Sequence, residues 1–366
     1  MKRSIAASCA LGLLSAPAAA LETSVDLDGH VGFSGSYFDS DAGDNTNLHN
    51  NASRIGLTAK VAEGGVTGFA RYERGMDIYN PDSDFTGGLN GSGSLGEDFV
   101  REFYAGIESD YGRITLGRFR AAYARAGQRV DPFYDTSVAG FSGTAATVAG
   151  QGANYGLSNL SNGFSDRVVE LQSGNYDGFK VNANLYPDGS TENDHDYGAG
   201  VSYASELARD MPFEVSLQYL EIRNEAISGV PFNSDASVGG SPGESTNFRA
   251  SGIIDLDGIS IGANYEYVDV DAESRERHYS TVTATMPLDA RLSLAAAVSY
   301  LDFADDAPAP AISGLGGSIG AFYEVLPGLN TYAALRYIDF DDDRNPSDDS
   351  LAVAIGAGYS FDMSLR

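Results

Sequence analysis

From Ser24 onward the chain follows one rule: apolar residues recur at every second position, in segments mostly about ten residues long. In RVVELQSGNYDGFKVNANLY (Arg167 to Tyr186), Phe179, Val181, Ala183 and Leu185 alternate with Lys180, Asn182, Asn184 and Tyr186. Before the Gly-Asn-Tyr-Asp-Gly turn, Val169 and Leu171 alternate with Val168, Glu170 and Gln172. A period of two gives a strand with one apolar and one polar face, so the stretch predicts a hairpin. Sixteen such segments run to the end of the chain. The outward set of the first is Val25, Leu27, Val31, Phe33 and Tyr37, and that of the second is Ile55, Leu57, Ala59 and Val61. The last carries Leu351, Val353, Ile355, Ala357, Tyr359 and Phe361. No stretch of helical period extends beyond a few turns.

The connections alternate in kind. Ala62 to Gly65, Ser109 to Gly112, Gly174 to Gly178, Asp255 to Gly258 and Leu326 to Leu329 are short. Asp39 to Ala52, Met76 to Asp98, Phe119 to Asp166, Arg223 to Ser245 and Asp302 to Ser313 are long and polar. Short turns at one end and long loops at the other are the construction of a transmembrane β-barrel, whereas a sandwich has no reason to obey that rule. The face opposite the apolar one is rich in Ser, Asn, Arg and Glu, so no dry core is predicted. Phe179 to Leu185 would face lipid, and Lys180, Asn182, Asn184 and Glu170 would face water. Closure removes the unpaired edges that lipid cannot satisfy. Sixteen strands enclose more space than side chains fill, so the expected fold is an all-β antiparallel barrel around a water-filled lumen. Tyr37, Tyr72, Tyr186, Tyr203, Tyr219, Tyr267, Tyr300 and Tyr337 lie near strand ends, where rings sit at the lipid–water boundary.

Composition narrows the picture further. MKRSIAASCALGLLSAPAAA opens with Lys2 and Arg3, continues with an apolar run and ends in an Ala-rich site, which reads as an export signal over residues 1–20, cut before Leu21. Cys9, the single cysteine, lies inside that run. The run is far shorter than the ~20 residues a spanning helix needs. A formal net charge of −28 argues against nucleic acid as a partner. The acids gather in segments such as Asp39 to Asp44 and Asp339 to Asp349, whose spacing matches no EF-hand loop, so they read as solvated loops and no metal site is assigned. Gly91, Gly93 and Gly96 lack the strand and helix that would make them a phosphate cradle. GxSxG occurs around Ser241 and Ser318 without a strand-turn-helix context. His30, His49, His195 and His278 are not at ligand spacing and do not pair with a nucleophile, so neither an enzyme nor a cofactor is expected.

SRIGL (Ser53 to Leu57), the Gly-rich third strand ending in Tyr72-Glu73, REFYAGIESDYGRITLGR (Arg101 to Arg118) and the hairpin at Arg167 resemble, in order, strands of the Gram-negative trimeric general porins. The resemblance covers nearly the whole chain after residue 20. It implies an outer-membrane homotrimer in contact with lipid and lipopolysaccharide, which passes small hydrophilic solutes and ions. It also implies that residues 119–166 contain a loop folded into the barrel as a constriction, whose acids face basic residues on the opposite wall. By that resemblance Arg54, Arg71, Glu73 and Arg101 are the wall positions, and Asp131 and Asp135 are the loop acids; Arg118, Arg120, Arg125 and Arg129 add unusual positive charge at the loop's start. Alternation with Phe103 and Ala105 points Arg101 outward unless a bulge intervenes. The loop lacks the Pro-Glu-Phe-Gly-Gly pattern of enterobacterial members. The chain also continues past Phe361 as DMSLR, where the family usually ends in Phe; Met363 and Leu365 keep the alternation, so the last strand is expected to run longer.

Three readings stay open on these residues. One is a general diffusion pore. Another is a channel specific for an anion, a sugar or an organic acid, with Arg118, Arg120, Arg125 and Arg129 as a binding track. The third is a non-conducting surface receptor or adhesin. The arginines argue for anions, and the acidic outer loops argue for cations gathered at the mouth.

Overall fold

A computed structural model of the chain describes residues 22–40, 43–76, 100–138, 164–187, 195–208, 211–223, 244–270, 275–303, 312–342 and 349–365. The export signal, Gly91 to Gly96, Ser241, residues 139–163 of the expected constriction loop, and most of the long polar connections lie outside the described residues. The strands are β1 (Glu22–Ser40), β2 (Gly43–Asn50), β3 (Arg54–Glu63), β4 (Val66–Gly75), β5 (Val100–Ser109), β6 (Gly112–Phe119), β7 (Ser165–Ser173), β8 (Phe179–Tyr186) and β9 (Asp196–Glu206). They continue with β10 (Pro212–Ile222), β11 (Ser245–Leu256), β12 (Ile259–Val270), β13 (Arg275–Pro287), β14 (Leu292–Phe303), β15 (Ile312–Leu326), β16 (Leu329–Asp342) and β17 (Ser350–Leu365). A short helix, α1 (Ala122–Gln128), follows β6.

Except for β2 and β3, which each pair with β1 and not with each other, consecutive strands pair antiparallel, and β1 pairs along its length with β17, from Val25 opposite Leu365 to Ser40 opposite Ser350. The β1–β17 pairing therefore closes the sheet on itself as a barrel. β2 and β3 together form one span: the outer half of β1 pairs with β2 and its inner half with β3, so seventeen strands make sixteen crossings. The polar run Gly43–Asn50 thus extends a hairpin, where its composition predicts part of a loop. Between the two halves Ala52 takes a positive φ of 54°. Ser53 replaces the missing ladder bonds, its Oγ donating to Gly32 O (3.1 Å) and accepting from Gly32 N (3.0 Å). At the other end of the chain, Met363 and Leu365 continue β17 as the alternation predicts, opposite Leu27 and Val25.

The short turns follow from residue chemistry. Gly64-Gly65 and Asp257-Gly258 have positive φ at both positions, the conformation that matches strand twist in a two-residue hairpin. The latter sets Leu256 opposite Ile259, and the register then places Arg249 opposite Glu266.

The two faces differ as the alternation predicts. Val298 is 60% exposed on the outside while its neighbour Ser299 is 4% exposed on the inside. Phe179, Val181 and Leu185 are exposed, whereas Asn184 and Glu170 are buried. An apolar surface so extensive suits hydrocarbon as its solvent. Among the tyrosines expected at the boundary, Tyr37, Tyr72, Tyr300 and Tyr337 are exposed on the outer face. Tyr186 is not: it shares the parity of Asn182 and Asn184, and packs inside with Phe119, Val168 and Leu220.

Candidate constriction site

The segment after β6 turns into the barrel and stays there to the limit of the described residues at Val138. Ala121 at the start of α1 has no side chain to cap it. Glu170 on β7 supplies the acceptor: its Oε2 takes the Ala122 N–H at 3.0 Å, and its Oε1 pairs with Arg125 at 2.8 Å. Tyr123 sits on a buried ion pair between β11 and β12, Arg249 Nη2 to Glu266 Oε2 at 2.7 Å, with neither side chain exposed. Arg249 donates to Tyr123 O (2.6 Å), Tyr123 donates its hydroxyl to Glu266 (2.8 Å), and the guanidinium lies 4.2 Å from the ring centre.

Past the helix the loop follows the wall. Thr283 donates to Val130 O at 2.8 Å, and Phe133 packs on Phe322 at 5.9 Å between ring centres. The wall beneath is built of small residues. Ala295, Ala334, Ala352 and Ala354 form one buried cluster with Val130, Phe133 and Val138. A Cβ added at Gly320 would lie 2.8 Å from the Phe133 ring, so only glycine admits it there. Asp131 caps its own turn by accepting the Phe133 N–H at 2.9 Å. Asp135, with a positive φ of 62°, reaches β3 and pairs with Arg54 at 2.8 Å. Ser137 Oγ accepts from Ser34 on β1 at 3.0 Å, and the Ser137 N–H donates to Tyr332 on β16 at 3.3 Å.

The wall from β1 to β5 carries a lattice of opposite charges. Arg71 binds Asp28 (2.6 Å), Glu73 (2.6 Å) and Glu102 (2.7 Å), and Glu73 also holds Arg101 (2.8 Å). Gly56 makes the reach to Asp28 possible, since a Cβ there would stand 2.8 Å from the Arg71 guanidinium. The register slips at this point: Glu73 faces Glu102 but Arg74 faces Val100, leaving Arg101 unopposed. This bulge brings both Arg101 and Glu102 to the inner side, which settles the ambiguity of Arg101's alternation; Arg101 is 3% exposed.

The four loop arginines separate. Arg118 pairs with Asp166 at 2.7 Å and donates to Val100 O. Arg120 lies between aromatic rings, 4.0 Å from the centre of Phe164 and 5.3 Å from that of Tyr134. Burial lowers the Arg120 pKa and pushes the Tyr134 phenol up to about 12. Arg125 donates to Arg120 O at 2.6 Å and pairs with Glu170, Arg129 pairs with Glu214, and both remain partly exposed. The structure thus brings together Arg71, Glu73 and Arg101, and separately Arg54 with Asp135. It does not assemble Arg118, Arg120, Arg125 and Arg129 into one track.

Open space remains beside α1. A cavity of about 570 Å³ lies between Arg125, Gln128 and Arg129 on the loop and the inner faces of β7 to β11. A second, of about 280 Å³, lies between Arg120, Arg125 and Gln128 and the walls of β5 to β7. They share Arg125, Gln128 and Gln172. Among the described residues the two are lined by five cations, Arg113, Arg120, Arg125, Arg129 and Lys180, and by three carboxylates, Glu102, Glu170 and Glu214.

Glu102, Tyr123, Arg249 and Glu266 were not singled out by sequence pattern. A signal for the last two was present: both are polar-face residues, equally spaced from the Asp257-Gly258 turn.

A model of the Gram-negative porin family matches residues 6–343. No curated protein matches the chain significantly. Among solved structures, the anion-selective porin from Comamonas acidovorans superposes with a TM-score of 0.68 at 15% identity, over 93% of this chain and 100% of that one. The trimer form of OmpT from Vibrio cholerae does so with 0.63 at 15% identity, over 93% and 99%. OmpF of Salmonella typhi, in complex with daunomycin, gives 0.58 at 16% identity, over 92% and 97%. At these identities the likeness is one of fold.

Proposed function

The chain belongs to the Gram-negative porin family and is an outer-membrane channel, and we propose that the passage beside α1 is its constriction and favours anions. The observation that carries this reading is the excess of cations among the described lining residues of the two adjoining cavities. Arginines are paired in both places, Arg125 and Arg129 with Glu170 and Glu214, and Arg54, Arg71 and Arg101 with Asp135, Asp28, Glu73 and Glu102, but the second group carries no surplus of cations. In this reading the acidic residues that dominate the whole chain act at its outer surface, and the constriction controls passage. One uncompensated charge about 5 Å from an ion is worth roughly 0.8 kcal/mol in water, less after salt screening. Because each attracts an anion and repels a cation, two such charges separate monovalent ions of opposite sign by about 2 kcal/mol at a Debye length of ~10 Å, roughly thirtyfold. The anion selectivity described for the Comamonas porin is consistent with this sign.

The same proposal covers assembly and export. Residues 1–20 act as a removable export signal, and three chains associate, as in the trimer form of OmpT, with the apolar outer belt toward lipid and lipopolysaccharide. Single-channel recording of the refolded protein in a planar bilayer under a salt gradient tests the whole reading. Openings in groups of three with a reversal potential of anionic sign are expected. Correctly folded protein without conductance would favour a receptor role, and a cationic sign would refute the assignment of the constriction.

A further inference from the structure

The larger cavity has features that a plain water gap does not require. Its inner wall is made small by Ser202 and Ala204 on β9 and by Ser216 and Ser251 on β10 and β11, and this is what leaves the room opposite Arg125 and Arg129. Gly200 stands between Asn182 on β8 and Gln218 on β10 in the register. A Cβ at Gly200 would lie 2.1 Å from Gln218 Oε1, so the missing side chain is what lets Gln218 cross β9. The two amides then bond reciprocally, at 3.2 and 3.3 Å, and Gln218 also donates to Ser216 at 2.8 Å. Both Gln218 N–H protons are thereby used, and the second Asn182 N–H, the Ser216 hydroxyl proton and the spare amide lone pairs are left for a solute in the cavity that these residues line.

The charges around this patch are Arg125, Arg129 and Lys180, set against Glu170, which binds Arg125, and Glu214, which binds Arg129. No ion pair engages Lys180 among the described contacts, and its side chain is exposed. The site therefore carries one cation in excess, and the Arg125 and Arg129 side chains are 42% and 54% exposed. A dianion would meet Glu170 and Glu214. A neutral sugar would leave the excess charge unanswered, and among the described lining residues only Tyr134 offers a ring to stack on. The volume is that of roughly twenty waters, enough for a solute of a dozen or so heavy atoms.

We propose that this cavity is a transit site for small polyhydroxylated monocarboxylates, the sugar-acid class. The carboxylate lies between Lys180 and Arg129, and the hydroxyls lie along Asn182, Gln218 and Ser216. This assignment rests on the anion preference of the constriction.

The test is block of chloride current through the full-length refolded channel in planar bilayers, with gluconate as the probe. Gluconate is expected to reduce the current saturably, with glucose ineffective and acetate at least tenfold weaker. Lys180→Gln raises the half-blocking concentration about tenfold, and Gln218→Ala narrows the margin between gluconate and acetate. Lys60→Gln, on the opposite wall and paired with Asp26, leaves the half-block unchanged. Linear dilution of the chloride current without saturation would overturn the site, as would equal block by glucose or equal shifts from Lys180→Gln and Lys60→Gln. Failure of the underlying reading looks different: absence of chloride conductance, or a cationic reversal potential before any probe is added.

Discussion

Arg249→Leu is the most informative single perturbation of the loop. In the native barrel Arg249 and Glu266 are completely buried beneath Tyr123, which takes one hydrogen bond from the guanidinium and gives one to the carboxylate. Removing the cation leaves a carboxylate out of water without the charge that answered it, and breaking one partner of a buried pair costs about 3–5 kcal/mol. The cost falls on the loop and spares the barrel, because β11 and β12 keep their backbone ladder from Ser245–Val270 to Leu256–Ile259. Lifting α1 lets lumen water reach Glu266 and relieves most of that cost. The equilibrium for local opening therefore rises by roughly two to three and a half orders of magnitude. Amide hydrogen exchange of α1 in nanodisc-held protein reads this directly, and the open channel becomes correspondingly noisy. The double variant Arg249→Leu, Glu266→Leu has no buried charge left, so exchange should return part of the way toward wild type. Unchanged exchange of α1 in correctly folded Arg249→Leu would refute the claim that this pair holds the loop.

Other outcomes follow from single contacts. Val298→Arg, on the outer face at mid-strand, is expected to cost about 2–4 kcal/mol in vesicle refolding titrations. A cost below about 1 kcal/mol would remove that position from the bilayer centre. Asp135→Asn keeps a side chain tolerant of positive φ but loses the charge paired with Arg54, and should loosen the loop by about 1–2 kcal/mol, read as faster exchange near Phe133 to Val138. Asp289, in the short turn before β14, accepts the N–H groups of Arg291 and Leu292, and these bonds hold its carboxyl below the usual range. A depressed folded pKa stabilises above the unfolded value near 3.8 and loses that contribution as pH falls through the folded one, so the Tm gap between wild type and Asp289→Ala should close below about pH 4. A gap independent of pH would refute it. Gly117→Ala should assemble poorly, since Gly117 has φ of 140° and its added Cβ would lie 2.2 Å from Phe103 O; heat-modifiability on gels gives the folded fraction.

Much of this was legible residue by residue. Parity alone placed Phe179, Val181 and Leu185 outside and Asn184 and Glu170 inside, because a strand offers its side chains only two directions. Parity failed at Arg101, since a bulge inserts one unpaired residue and its position depends on how β4 meets β5. It was also insufficient for Gly43–Asn50, where polar residues form a strand because β1 extends far enough to pair with them. The inward alanines 295, 334, 352 and 354 depart from the polar character of that face, and their reason, the seat of Phe133 and Val138, belongs to a segment far away in the chain.

By itself, then, the sequence determined the number of crossings, the lipid and water faces and the ends at which turns and loops lie, all of which are consequences of local periodicity and turn chemistry. Only the closed barrel decided which charges meet. Arg54 finds Asp135, Arg71 finds Asp28, and Tyr123 finds Arg249 and Glu266 because a curved wall brings distant strands around one inserted loop. Charge pairing depends on separations of a few ångströms in three dimensions, and a period of two carries no information about those.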